Sequence, residues 1–303
     1  MNKLWNKLFL EEKPSIILSF FRIFAALTVG LHVIPSFFHL EDNYLSTAFK
    51  EFNLSFFTSS VVLFIQKSPD WVVYFFVFLF LVTWFFFLVG LFSQISCILM
   101  TIGCYYFYAL NCFHIGTLSW DILLVTVFLM CVANYHGDYF SIDSLRRGDI
   151  FAYRKKRPIF LQRLLQMQVA FTYFYTALYK ISPAGNWLRD YPLYYLWNYP
   201  PEGVTKQFLF RGFFASHPQY CYVQAVVIVL WELSMPVLLF WPRTRVFGIV
   251  TGFIFHLLLV LTLHVPTIFL FLFPAQLLLF INPGHVVEWI EKKRLFNQEK
   301  NTY

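Results

Sequence analysis

The chain has 303 residues, of which 59% are hydrophobic, 22% aromatic and only 13% charged. A soluble domain typically carries about 45–50% apolar and about 25% charged residues, so the composition excludes an ordinary soluble fold and points to a membrane-embedded one. The formal net charge is +7, but the basic residues lie in short loops between apolar runs, where they orient spans and meet anionic headgroups rather than nucleic acid.

Residues 1–14 carry Lys3, Lys7 and Lys13 ahead of an apolar run that continues past Phe38 without a small-residue cleavage site. They read as a cytoplasmic segment rather than a cleavable signal peptide. Crossing a hydrocarbon core of ~30 Å takes about 20 mostly apolar residues. On that measure the sequence predicts an all-α fold, a polytopic transmembrane helical bundle of about eight spans. These fall at 15–38, 71–92, 94–113, 117–135, 159–181, 222–241, 246–264 and 267–281. The segment 54–65 is apolar but too short to cross, and reads as interfacial or re-entrant. The spans make one membrane domain, 15–283, followed by a basic cytoplasmic tail, 284–303.

Orientation follows from the placement of Lys and Arg. With both termini cytoplasmic, eight spans put 15 of the 23 basic residues inside, six of them between 146 and 157. Five fall outside (Lys50, Lys67, Arg189, Lys206 and Arg211), and Arg22, Arg163 and Lys180 lie within spans. Two longer outer segments result, 39–70 and 182–220. The second is rich in Trp, Tyr and Pro, including Trp187, Tyr191 and Trp197. Such a belt either rests at the headgroup level or caps a site, as long loops in compact proteins often do.

Ionisable groups inside spans are costly unless paired or facing a cavity, and are therefore functional candidates. Lys180 ends the fifth span beneath the aromatic loop, and counting back by four gives Thr176, Thr172 and Gln168 on one helical stripe. It either snorkels to the interface or, desolvated to the neutral amine, acts as a base. Glu232 sits in the middle of the sixth span, with His256 of the seventh as its expected partner and His264 two turns further out. His114 and Asp121 flank the turn between spans three and four, where Asp121 also suits a helix N-terminus. Arg22 and Arg163 are expected to snorkel towards lipid phosphates. The five cysteines lack C-x-x-C spacing, and no metal is predicted. A disulfide between Cys112 and Cys221 is left open. Phosphate-loop, zinc-protease, serine-hydrolase and dinucleotide motifs are all missing.

The order of several stretches resembles the HTTM domain, the transmembrane module shared by vitamin K-dependent γ-carboxylases and many bacterial relatives. Phe21-Arg22-Ile23 opens it, and Cys112-Phe113-His114 leads through Leu123-Leu124 to Asn134-Tyr135-His136 and Ser141-Ile142-Asp143. Gln166-Met167-Gln168 and the run from Tyr173 to Lys180 follow, closing at Trp187; Glu232 and Phe255-His256 complete the series. In the carboxylases, the lysine matching Lys180 is regarded as the base that deprotonates reduced vitamin K, and the histidine matching His114 is implicated at the same luminal site. The resemblance therefore implies Lys180 and His114 as catalytic residues. Three departures accompany it, one of them a Lys180-to-Trp187 spacing two residues longer than in the carboxylases. The paired lysines of the carboxylase motif become Tyr179-Lys180, and only about 20 residues follow the last span.

Two functions of different class follow. One is a quinol-linked oxygenase or carboxylase acting on reduced menaquinone or vitamin K hydroquinone. In it Lys180 is the base and His114, Glu232, His256, Thr176 and Asp121 support it. Trp187, Tyr191 and Trp197 cap the ring by stacking. The other is a non-catalytic membrane partner in the maturation or export of a secreted peptide toxin. A transporter would need inverted repeats and broken midplane helices. Besides the lipid bilayer, the expected partner is a small secreted or membrane peptide, with no nucleic acid. The Phe/Lys/Asn usage suggests a bacterial inner or plasma membrane.

Overall fold

The computed structural model describes residues 5–48, 59–110, 117–148, 155–199, 210–262 and 267–300. His114, His264 and Cys112 lie outside these residues. The helices are α1 (Ile16–Val33), α2 (Leu40–Asn43), α3 (Ser59–Gln66), α4 (Asp70–Val89), α5 (Ser93–Leu110), α6 (Thr117–Met130), α7 (Ile142–Arg146) and α8 (Phe160–Ile181). They continue as α9 (Pro192–Asn198), α10 (Arg211–Ser216), α11 (Pro218–Phe240), α12 (Arg245–Thr262), α13 (Thr267–Leu278) and α14 (Pro283–Lys300). Two three-residue strands, β1 (Glu12–Pro14) and β2 (Lys156–Pro158), pair antiparallel with Lys13 opposite Arg157.

The protein is thus mostly helical. Among the described residues, four stretches are long and apolar enough to cross a membrane: Ile16–Asn43, Asp70–Val89, Ser93–Leu110 and Pro218–Phe240. Trp120–Met130 and Arg245–Leu261 are shorter apolar helices. The first predicted span overruns its α-helix because Pro35 has no N–H to donate, and the chain tightens into a 3₁₀ turn, Ile34–His39. The fourth overruns too: α6 stops at Met130, and residues 131–135 fold as turns and irregular backbone.

The chain forms two compact units, Met1–Leu165 with Ile281–Tyr303, and Gln166–Phe280. In the first unit α4 packs on α1 and α5, α5 on α3 and α6, and α14 on α1 and β1. Val29, Phe80, Phe87, Met100, Phe107, Trp120 and Leu123 fill its core. Cys97 and Cys104 are small buried thiols within it, as their apolar setting predicts.

Three distant sequence stretches meet in a polar joint within this unit. Arg22 is fully buried, and its guanidinium donates to the carbonyl oxygens of His136 (3.1 Å) and Phe140 (2.5 Å). The expectation of a snorkelling Arg22 is therefore corrected. The loop after α6 folds back over α1 and supplies the acceptors that lipid phosphates were expected to provide. Asp143 accepts from the backbone N–H of Phe92 (2.9 Å) and Ser93 (2.7 Å) and from the Ser93 hydroxyl (2.8 Å), capping the start of α5. Asp138 accepts from Ser15 (2.8 Å) and, through both oxygens, from Arg157 (2.9 and 3.1 Å). Burial opposes the Asp138 charge, but the hydrogen bonds from Arg157 and Ser15 outweigh it and hold the carboxyl below its usual range. Gly90 closes α4 with φ +70°, and a Cβ there would sit 2.3 Å from Ser141 Cβ and 2.4 Å from an Arg22 nitrogen. Only glycine satisfies both the left-handed turn and this contact.

In the second unit α12 packs on α11 and α13, while α9 and α10 pack on each other and on α11. The buried line of α8 in this unit is Val169, Tyr173 and Ala177, spaced by four. Pro236 interrupts α11, and the N–H it lacks would have bonded the Glu232 carbonyl; Pro274 interrupts α13 in the same way.

Candidate functional site

The site lies in the second unit, where Lys180 at the end of α8 meets Glu232 on α11. The Lys180 ammonium donates to Glu232 Oε1 in a close ion pair, with side-chain exposures of 15% and 6%. The other carboxylate oxygen, Oε2, is buried without a hydrogen-bond partner. An ion pair withdrawn this far from water persists because each charge is the other's main compensation.

Local sequence explains how a tryptophan comes to cover the lysine. After α8 the chain reverses over Ser182-Pro183-Ala184-Gly185-Asn186. Gly185 and Asn186 donate back to the Ser182 carbonyl (3.2 and 2.8 Å), and the Trp187 N–H returns to the Lys180 carbonyl (2.9 Å). A Cβ on Gly185 would fall 2.2 Å from the Tyr179 carbonyl oxygen, so a glycine is required for the turn to close this tightly. Asn186 takes a positive φ of 50°, which asparagine tolerates better than most residues. The Trp187 ring then stands 4.9 Å from Lys180 Nζ, within cation–π range.

Glu232 and His256 are not paired with each other as the sequence suggested. His256 Nε2 is hydrogen-bonded to the Tyr173 hydroxyl at 2.8 Å, and its ring stacks on Phe273 at 4.6 Å. Tyr173 sits edge-on to Trp231 at 5.5 Å and is fully enclosed. It is the residue that sequence reasoning missed. Its signals were its place at the head of the run that carries the resemblance and its position seven residues before Lys180, two turns down the same helix. The polar stripe is also displaced from the buried line. Thr172 and Thr176 donate to carbonyls of their own helix, Gln168 (2.9 Å) and Tyr173 (3.0 Å), and both are only half-buried. Thr176 nonetheless lies beside the Glu232 carboxylate.

The aromatic loop divides in two. Trp197 is buried with Leu193, Cys221 and Ala225, stacks on Phe214 at 5.6 Å, and donates its indole N–H to Gln224 (3.3 Å). It builds the core that fixes α9 and α10 on α11. Tyr191 is exposed and faces Tyr222 at 5.9 Å. Of the three predicted capping residues, Trp187 is the one in contact with Lys180. The Cys221 thiol donates to the Phe214 carbonyl at 3.2 Å. Asp121 lies in the first unit, where it accepts from the Tyr108 hydroxyl at 3.0 Å.

The family model for the HTTM domain matches residues 11–285. The chain belongs to the HTTM family. No curated protein and no solved structure matches it. Within this HTTM domain, the stretches around Arg22, His136 and Asp143 build the polar joint. Those around Lys180, Trp187 and Glu232 build the candidate site, and His256 joins it through its neighbour Tyr173.

Proposed function

We propose that this HTTM protein carries out acid–base chemistry on a lipid-borne acidic hydroxyl, at a centre formed by Lys180 and Glu232 beneath Trp187. The observation that carries the reading is the ion pair itself, enclosed among apolar helices and roofed by an aromatic ring. The pair holds one mobile proton between an amine and a carboxyl. In the ion-paired form the accepting group is the carboxylate, whose Oε2 is free of partners. Passing the proton from Lys180 to Glu232 instead exposes the free amine that the family resemblance assigns as base. Either route adds one proton to a neutral pair. The resulting cation then stands next to the anion it has generated, in surroundings that strengthen their attraction.

Reduced menaquinone or vitamin K hydroquinone fits this setting. Glu232 Oε2, which has no hydrogen-bond partner, would accept from its acidic hydroxyl, Trp187 would stack on its flat ring, and its tail would partition into lipid. When bound, such a quinol supplies the acidic hydroxyl and a redox-active ring. The protein orients the hydroxyl, excludes water and holds the proton. This reading includes eight crossings with both termini on the cytoplasmic side of a bacterial membrane, which sets the end of α8 at the outer leaflet.

The test is amine-selective labelling of Lys180 in the full chain reconstituted in nanodiscs, read by peptide mass spectrometry with and without menaquinol. Protection by menaquinol, together with menaquinone quenching of Trp187 fluorescence, is the expected result. Labelling and fluorescence indifferent to quinol overturn the reading. They would leave the chain as a non-catalytic membrane partner for a secreted peptide.

A further inference from the structure

The first unit carries a second feature. Between α4 and α5 runs an open groove of about 320 Å³, lined by Leu79, Val82, Phe86, Phe92, Ile95 and Leu99 together with Thr83 and Ser96. The two hydroxyls do not make it polar. Thr83 donates to the carbonyls of Leu79 (2.8 Å) and Phe80 (3.1 Å), and Ser96 to those of Phe92 and Ser93 (both 3.2 Å). The lining therefore presents only carbon to an occupant. From Leu79 to Phe86 it extends about two helical turns, roughly 10 Å along the helix axis.

One end of the groove is basic. Phe92 is held in a left-handed conformation (φ 47°) with half its surface exposed, and the Arg146 guanidinium lies 5.5 Å from its ring centroid. Arg146 and its neighbour Arg147 are both exposed at the end of α7. The nearby carboxylate, Asp143, accepts from the Phe92 and Ser93 N–H groups and the Ser93 hydroxyl, and its charge acts on Arg147. A carbon-lined slot two turns long, ending at the exposed Arg146 guanidinium, matches an acyl chain joined to a phosphate. Arginine also suits a phosphodiester through its forked donors.

We propose that this groove is a binding site for an anionic phospholipid, with one acyl chain between α4 and α5 and the phosphate at Arg146. Arg147 supports the charge while donating to the Gly137 carbonyl at 3.0 Å. The site is independent of the Lys180–Glu232 centre.

Native mass spectrometry of the full chain, released from nanodiscs of equal phosphatidylglycerol and phosphatidylcholine, tests it. The wild type is expected to retain phosphatidylglycerol preferentially. Arg146→Gln should lower that preference about fivefold, the effect of one basic charge near a lipid surface. Leu99→Trp, which fills the slot from its wall, should reduce retention of both lipids. Circular dichroism checks that each variant is folded. Because Arg146 is exposed, its variant tests the idea even if Leu99→Trp fails to fold. Equal retention of the two lipids by the wild type overturns the proposal, as does preference unchanged in Arg146→Gln. Displacement of the lipid by menaquinone independent of Arg146 also overturns it, and would assign the slot to an isoprenoid tail.

Discussion

Breaking the Lys180–Glu232 pair should be markedly asymmetric. Removing one partner of a buried ion pair typically costs about 3–5 kcal/mol, because the other charge is left uncompensated. Here the two orphans differ. Glu232 sits in the body of α11 with 6% of its side chain exposed, whereas Lys180 retains 15% at the end of α8 and has a long stem. With Glu232 gone, Lys180 extends towards the interface and keeps its contact with Trp187, itself worth up to ~2 kcal/mol when desolvated. Glu232→Gln should therefore cost only about 1 kcal/mol. With Lys180 gone, Glu232 has no such escape, and Lys180→Met should cost about 3 kcal/mol, the low end of the buried-pair range. The double variant Lys180→Met/Glu232→Gln should be at least ~1 kcal/mol more stable than Lys180→Met alone, since it removes the orphan charge. The measurement is reversible unfolding of the four proteins in mixed micelles, followed by circular dichroism, as a double-mutant cycle. Equal single-variant losses with an additive double would refute the reasoning, and would mean that water reaches both charges.

Gly90→Ala should destabilise the first unit by ~2 kcal/mol or more, visible as a lower Tm. It combines the ~1–2 kcal/mol penalty of a left-handed alanine with contacts at 2.3 and 2.4 Å; an unchanged Tm would show that the joint is loose. Asp143→Ala removes the cap from α5 and should cost about 1 kcal/mol, with faster hydrogen exchange confined to Phe92 and Ser93. His136 is fully buried, and burial first, then the Arg22 charge, push its pKa down to about 3. Below its free value of about 6.5 the unfolded chain binds a proton that the folded one refuses. Stability must therefore decline as pH falls from 6.5 towards 3, by up to ~1.4 kcal/mol per unit. His136→Phe should flatten that limb, and an identical acid profile would place the loss elsewhere. Asp138 and Asp143, both held below the usual carboxylate range against an opposing burial effect, have the same sign in a lower window. Their contribution is complete above about 3.9 and is lost as pH falls through their lowered values.

Much of this architecture is legible in the sequence, because lipid demands long runs of apolar residues and those runs are conspicuous. α4 and α5 fall within two or three residues of expectation, separated by Gly90, whose left-handed cap is a local property. Pairing across helices is less legible. Glu232 and His256 were matched because each is polar and near mid-span, but a one-dimensional count of depth carries no information about which way a side chain faces. Rotation about the helix axis places Glu232 towards Lys180 and His256 towards Tyr173. The β1–β2 ribbon was also unreadable. Three residues ending in proline offer no alternation, and only the fold brings segments 144 residues apart into register. Trp187 and Trp197 looked alike as aromatic loop residues. Gly185 and the turn it permits deliver the first to Lys180, while a hydrogen bond to Gln224 draws the second into a core.

The fate of Arg22 shows why ionisable residues in spans need a second criterion beyond their expense. Arg22 and Lys180 are both cations within apolar helices, and both belong to stretches that carry the HTTM resemblance. Arg22 is completely enclosed, and its terminal nitrogens meet backbone carbonyls that belong to a loop and cannot titrate or leave. Such an arrangement fastens a loop to a helix and has no capacity to exchange a proton. Lys180 meets a titratable carboxylate whose second oxygen is without a partner, and retains some access from outside. The cost of a buried charge is common to both, so cost alone does not separate anchor from reactive centre. What separates them is whether the partner can change its protonation state and whether an acceptor is left over. By that criterion the polar joint of the first unit is structural, and the Lys180–Glu232 pair is where chemistry has room to occur.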